Sequence, residues 1–307
     1  MADDAYAATV NPLAKTVVQR APAPLRRPVL VLLRTAFGAT RNRLPGLAAE
    51  IAFWVLLSLP SLAVSVIAIL GLVAATGSDW EAQLVQRAVE VSRVALTTQA
   101  IDNVVEPLLR RLIEDTGFGV ISSAFVAAVW TASRAVKAAL TAIALVATRA
   151  EPRSGWKDRL LGFAITIGAL IVGAVLAPLL VAGPGFAEQL QGVVTIDLRW
   201  LVDLWQALYW PGVLVAATMA IAALYHLGVP QRTRWRDELP GAITATGVWL
   251  AGSAGLRLYG AYITGTESAY GPLAGPIVVL IWFWLTGFAV LLGAQLNAEI
   301  AAETRRR

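Results

Sequence analysis

Residues 272–307 read PLAGPIVVLIWFWLTGFAVLLGAQLNAEIAAETRRR. The run Pro272–Glu299 is apolar over more than the ~20 residues a helix needs to cross a bilayer, and Arg305-Arg306-Arg307 follows it as a basic stop. Pro272 and Pro276 stand in its first turns, where a missing backbone N–H costs little. This stretch is a transmembrane helix, and the chain is read outward from it.

Five more apolar stretches precede it, at about 47–75, 118–140, 160–182, 204–227 and 241–263. Lys and Arg collect in every second gap between them. Seven lie in the arm 1–43, four between Arg149 and Arg159, three between Arg232 and Arg236, and three in the tail 301–307. The remaining gaps hold five, and Arg134, Lys137 and Arg257 fall inside apolar stretches. Basic loops stay in the cytoplasm, so the pattern predicts six transmembrane helices with both termini cytoplasmic. The membrane domain covers 44–300, between the basic arm 1–43 and the basic tail 301–307.

The first outer segment, 79–115, differs from the spans. Its apolar residues recur with the helical period and its other face is acidic, which predicts amphipathic helices outside the membrane. In the arm, Val29–Ala39 is either a short helix on the inner membrane surface or an ordinary basic leader. No apolar run precedes Val29, and no cleaved targeting peptide is expected. The fold class is therefore an all-α polytopic membrane protein with six spans and extra helices in the first outer loop. The long second stretch predicts that its last turns, beyond residue 140, project from the membrane or lie along its surface.

Composition narrows the function. The chain is 57% hydrophobic and 15% charged, with mean hydropathy +0.66, whereas soluble domains carry about 25% charged residues. The net charge of +5 sits beside apolar spans on one side. It points to anionic lipid headgroups as partners, with no nucleic acid expected. There is no cysteine, so disulfides, thiolate metal sites and thiol nucleophiles are excluded. No P-loop, GxSxG, HExxH or paired catalytic carboxylates appear. The expectation is a non-enzyme without metal or cofactor.

Several motifs resemble one family. Arg234-Trp235-Arg236-Asp237-Glu238-Leu239-Pro240-Gly241-Ala242 resembles the start of the fifth span of the YihY/BrkB family. Tyr270-Gly271-Pro272-Leu273-Ala274-Gly275 with Leu280-Ile281-Trp282 resembles the start of its sixth, and Leu292–Glu299 its closing motif. Ala52-Phe53-Trp54 with Ser58 and Pro60, and Trp130-Thr131-Ala132-Ser133 with Arg134, fit its first two spans. The resemblance covers roughly residues 35–300. Phe53 and Trp54 stand where the family has tyrosines, and Gln295 where it commonly has glutamate. The resemblance implies a bacterial inner-membrane protein, associated in some members with virulence. An older family label, ribonuclease, fits poorly with one His, no Cys and scattered acids.

Ionisable groups inside spans cost roughly 2.5–3.5 kcal/mol each and suggest function. Glu50, Arg134, Lys137, Gln295 and Asn297 are the candidate lining of a polar cavity that draws in an anionic solute or lipid headgroup. The competing structural reading pairs Glu50 with Arg134 or Lys137, or lets the long side chains snorkel to the surface. Arg257 is assigned a partner such as Asp203, or outward snorkelling. Glu299 and His226 read as interfacial, and the Trp residues as anchors and lipid-facing bulk. Gly252 and Gly255, with Ala251 and Ala254, form a small-residue face for helix packing. Pro60 and Pro178 are read as the interior kinks. The leading expectation is binding or transport of a small or amphiphilic, anionic or lipid-like solute. The alternative is an envelope structural or assembly factor acting through 79–115. The oligomeric state stays open.

Overall fold

The computed structural model describes residues 22, 26–58, 118–148, 160, 162–168, 199–229, 234–264 and 274–305. Every regular element among them is a helix. In chain order they are α1 (Arg26–Arg41), α2 (Leu44–Ser58), α3 (Phe118–Thr148), the short α4 (162–168), α5 (Arg199–Gly228), α6 (Trp235–Thr264) and α7 (Ala274–Arg305). Pro60, Pro178 and the amphipathic segment 79–115 lie outside the described residues.

Within α3, α5 and α7, the segments Val129–Ala147, Ala207–Gly228 and Pro276–Arg305 are long and apolar enough to cross a membrane. The 30-residue α6 is as long, but Thr244, Thr246, Ser253, Arg257 and several glycines dilute its apolar character. Large apolar side chains point outward along these helices, among them Val126, Leu208, Val215, Ile243 and Leu258. Water would penalise such a surface, and lipid does not. The hydroxyls of Thr131, Thr218, Thr246 and Thr286 donate to the carbonyls four residues back, at 2.8–3.0 Å. This satisfies them inside their own helices, as an apolar medium requires.

The helices meet in one core. It gathers Leu44, Ala48 and Ile51 of α2, Ala142, Ile143 and Val146 of α3, Ala222 and Tyr225 of α5, Ala242 of α6, and Leu291 and Ala294 of α7. Thus α3, α5 and α7 run towards this core, and α2 and α6 start in it and run away. The direction reverses from α2 to α3, from α5 to α6 and from α6 to α7, whereas α3 and α5, separated in the chain by residues 149–198, run the same way.

α7 is the hub, touching α6 most extensively and also α3 and α1. At the α6–α7 crossing the backbones come together. A Cβ on Gly293 would strike the Gly241 carbonyl and the Tyr225 hydroxyl, and a Cβ on Gly241 would strike Gly293 and Asn297. Farther along, the Trp249 and Trp282 indoles donate across the same interface to Thr286 (3.1 Å) and Ser253 (3.2 Å). Close backbones and interhelical hydrogen bonds hold helices together where lipid removes the hydrophobic drive. Of the predicted small-residue face, Gly252 packs on Leu285, whereas an added Cβ on Gly255 would meet nothing. The tight contact is instead at Gly241.

Three expectations change. α3 continues unbroken to Thr148, and its last turns, expected to stand free or lie along the surface, pack against α2, α5 and α7 in the core. The arm is helical over Arg26–Arg41 and docks on α7, with Arg34 paired to Glu303 at 3.0 Å, so it is neither a plain leader nor a helix held by lipid alone. Pro211, inside α5, is an interior proline that the assignment of Pro60 and Pro178 passed over. Between α1 and α2 the chain turns at Arg43, whose φ is 55°, and the Arg43 carbonyl accepts the first α2 bonds from Gly46 and Leu47 at 2.9 and 3.1 Å.

Candidate functional site

α2 presents two faces. Ala48, Ile51 and Ala52 enter the core, Glu50 and Trp54, at helical spacing, line a cavity, and Leu47 lies at the boundary, packed on the core and lining the cavity. α3 supplies the facing wall through Trp130, Ser133, Arg134, Lys137 and Thr141, which recur on one side of its axis. Leu160 and Phe163 close the third side. The cavity measures about 620 Å³, the size of a small-molecule site.

Glu50, Arg134 and Lys137 therefore line one space. Arg134 lies between two indoles, its guanidinium carbon 4.8 Å from the Trp54 ring centre and 5.5 Å from that of Trp130. Each such contact contributes about 0.5–1 kcal/mol at an exposed site and about 2 where water is excluded. The pairing of Glu50 with Arg134 or Lys137 does not occur: among the described residues no ion pair within 4.0 Å involves any of the three. Both cations keep their donors available to the cavity. Arg257 has no ion pair with Asp203 among the described residues either, and both are exposed.

Gln295 and Asn297 are elsewhere, which corrects their assignment to this cavity. Gln295 is 1% exposed and bridges α1 and α7. It accepts from Asn42 Nδ2 at 2.7 Å and donates to Glu299 Oε1 at 3.1 Å. Glu299, expected at headgroup level, is itself buried. Asn297 ties α7 to α6: its Oδ1 accepts from the Gly241 N–H at 2.7 Å, and its Nδ2 donates to Glu238 O (3.0 Å) and Oε2 (3.1 Å). Both amides are structural connectors. The physical reason is their spacing. Residues two positions apart in an α-helix, as Gln295 and Asn297 are, lie about 200° apart around the axis, so they cannot share a face.

Sequence reasoning missed Asn42, Glu238, Tyr225, Trp54 and Trp130. Glu238 is 3% exposed and held by Asn297, and Tyr225 donates to Val290 O at 2.6 Å. The signal for Trp130 was available, because it precedes Arg134 by four residues and so sits directly above it on α3. His226, expected at the interface, stacks on Trp235 with ring centres 5.0 Å apart. Among the described residues no group of three or more His, Asp or Glu side chains could hold a metal ion.

The family model described as "Virulence factor BrkB" matches residues 36–307. YfkH of Bacillus subtilis (strain 168), named as a ribonuclease-like protein, is 28% identical over 200 residues, covering 64% of this chain and 71% of the relative. A UPF0761 membrane protein of Stenotrophomonas maltophilia (strain R551-3) is 34% identical over 139 residues, 45% of this chain and 31% of the relative. A UPF0761 membrane protein of Tolumonas auensis is 29% identical over 137 residues, 44% of this chain and 45% of the relative. The chain thus matches under half the length of these two membrane-protein relatives. No solved structure matches it. The apolar helices and a family match that spans nearly all of the described bundle lead to one conclusion: this chain is a membrane protein and belongs to the virulence factor BrkB family.

Proposed function

We propose that the protein binds, and passes across the bacterial inner membrane, an amphiphilic anion held in the cavity between α2 and α3. The observation that carries this reading is the pair of cations, Arg134 and Lys137, lining that cavity without a carboxylate partner among the described residues. A cation inside an apolar span is costly, and an anionic ligand offsets that cost while protein partners do not. The headgroup accepts from the Arg134 fork and the Lys137 ammonium. Glu50 leaves the lining with one net positive charge and offers an acceptor to a hydroxyl or ammonium on the same headgroup. The apolar part of the ligand lies on Trp54, Trp130, Leu160 and Phe163.

The architecture that goes with this function is six spans with both termini on the cytoplasmic side. It is supported by the opposed directions of α2 and α3 and of α5, α6 and α7 in turn, and by the basic gaps in the sequence. We take the role as binding and movement, not chemistry on the ligand, because the Ser133 hydroxyl in the lining is committed to the Trp130 carbonyl at 2.7 Å. The ribonuclease-like name of the Bacillus relative is not carried over to this chain.

Titration of the detergent-purified protein with a brominated single-chain carboxylate tests the reading, since bromine quenches tryptophan on contact and Trp54 and Trp130 line the cavity. The expected result is saturable quenching beyond that given by a neutral brominated amphiphile, weakened at least tenfold in Arg134→Leu/Lys137→Leu. Equal quenching by the neutral and anionic probes, or an unchanged curve in the double variant, refutes the proposal.

A further inference from the structure

A second cavity, of about 550 Å³, lies where the ends of α3, α5, α6 and α7 converge. None of its lining residues lines the α2–α3 cavity. Its apolar wall comes from Ile143, Ala147 and Ile300, and Arg234, Arg236 and Arg305 project into it. Two carboxylates, Asp237 and Glu238, are also present. Glu238 is already engaged by Asn297 Nδ2 at 3.1 Å, and Asp237 occupies the first turn of α6, where the helix dipole favours a negative charge. Among the described residues neither Arg234 nor Arg236 has a carboxylate within 4.0 Å. The lining carries three guanidiniums and two carboxylates, a net charge of +1, with Arg234 and Arg236 the two guanidiniums that have no carboxylate partner among the described residues.

We propose that this cavity is a second, independent binding site, for a phosphate-bearing ligand. A guanidinium presents a planar fork of donors that matches phosphate and carboxylate oxygens. A carboxylate has one charge and two oxygens, enough for one of the Arg234 and Arg236 forks, whereas a phosphate has more acceptors, and a monoester more charge, with which to satisfy both. The apolar wall receives the group that carries the phosphate. A phospholipid headgroup and a soluble phosphate ester share this chemistry, and the two sources separate experimentally.

The chain is purified in an uncharged detergent and its melting followed by tryptophan fluorescence. It is titrated with inorganic phosphate, with phosphatidylglycerol in mixed micelles, and with sodium chloride at matched ionic strength. The expected result is a saturable rise in Tm, above the salt reference, with at least one phosphate probe. Response to phosphatidylglycerol alone assigns a membrane lipid, and response to inorganic phosphate assigns a soluble ligand. Arg234→Gln/Arg236→Gln loses at least tenfold in apparent affinity, and each single substitution loses part of it. Both side chains are exposed and unpaired among the described residues, so the variants fold, and their melting without probe checks this. Because the α2–α3 cavity also takes amphiphilic anions, the phosphatidylglycerol arm is read in the Arg134→Leu/Lys137→Leu background, where a response that persists and is lost on adding Arg234→Gln/Arg236→Gln belongs to this site. No saturable shift with either probe, or an undiminished shift in the Arg234/Arg236 variant, overturns the proposal.

Discussion

Arg134 occupies a place that only its local neighbours explain. Trp130 lies one turn before it on α3 and Trp54 faces it from α2, so the guanidinium is held by two indoles in the lining of the cavity. Trp54→Leu removes one of these contacts at a cost of about 0.5–1 kcal/mol. It is expected to weaken anionic-probe binding by roughly 2–5-fold with little change in Tm, as read in the bromine titration with Trp130 as the remaining reporter. Asn297 behaves in the opposite way. Asn297→Ala leaves the buried Glu238 carboxylate and the Gly241 N–H without their shared partner. Hydrogen bonds to a charged group contribute about 1.5–3 kcal/mol and orphaned buried groups cost more, so a loss of about 2–4 kcal/mol is expected in the melting of the purified protein. An unchanged Tm would show that Asn297 does not connect α6 to α7. At this scale the three charges Glu50, Arg134 and Lys137 were legible as a set, because apolar stretches expose any charge within them. The amide partners were not, because which distant residue meets Gln295 or Asn297 depends on how helices cross.

The helices themselves follow from apolar length. α7 was readable from its uninterrupted run, and the start of α3 from Phe118. The continuation of α3 to Thr148 was readable from its apolar length, but what covers its last turns was not, because that depends on helix packing. The ends of α5 and α7 and the start of α6 meet there, where Ala142, Ile143 and Val146 find protein instead of water. The amphipathic α1 was visible as a pattern, but its dock on α7 rests on Arg34–Glu303 and on Gly38 lying against Gln295, contacts between residues some 250–270 positions apart. At the α6–α7 crossing the glycines set the fit. Gly293→Val is expected to force α6 away from α7 and lose at least about 3 kcal/mol, since close-packed interiors have no space to yield. Size-exclusion profiles should show loss of the monodisperse species. Gly255→Val, where an added side chain meets nothing, serves as the tolerant control.

As a whole molecule the protein is a helical membrane bundle with one packed end, a cationic cavity between α2 and α3, and a separate arginine-lined cavity at the convergent ends of α3, α5, α6 and α7. Buried amides and glycines fasten α7 to its neighbours, whereas among the described residues Arg134 has only its indole contacts and Lys137 no ion pair. The most direct test of that division is mass spectrometry of the amphiphiles that co-purify with the protein in mild detergent. Wild type should carry an anionic amphiphile in stoichiometric amount, and Arg134→Leu/Lys137→Leu should lose it while retaining neutral lipids and an unchanged Tm. Equal retention of anionic amphiphile by both proteins would contradict the account.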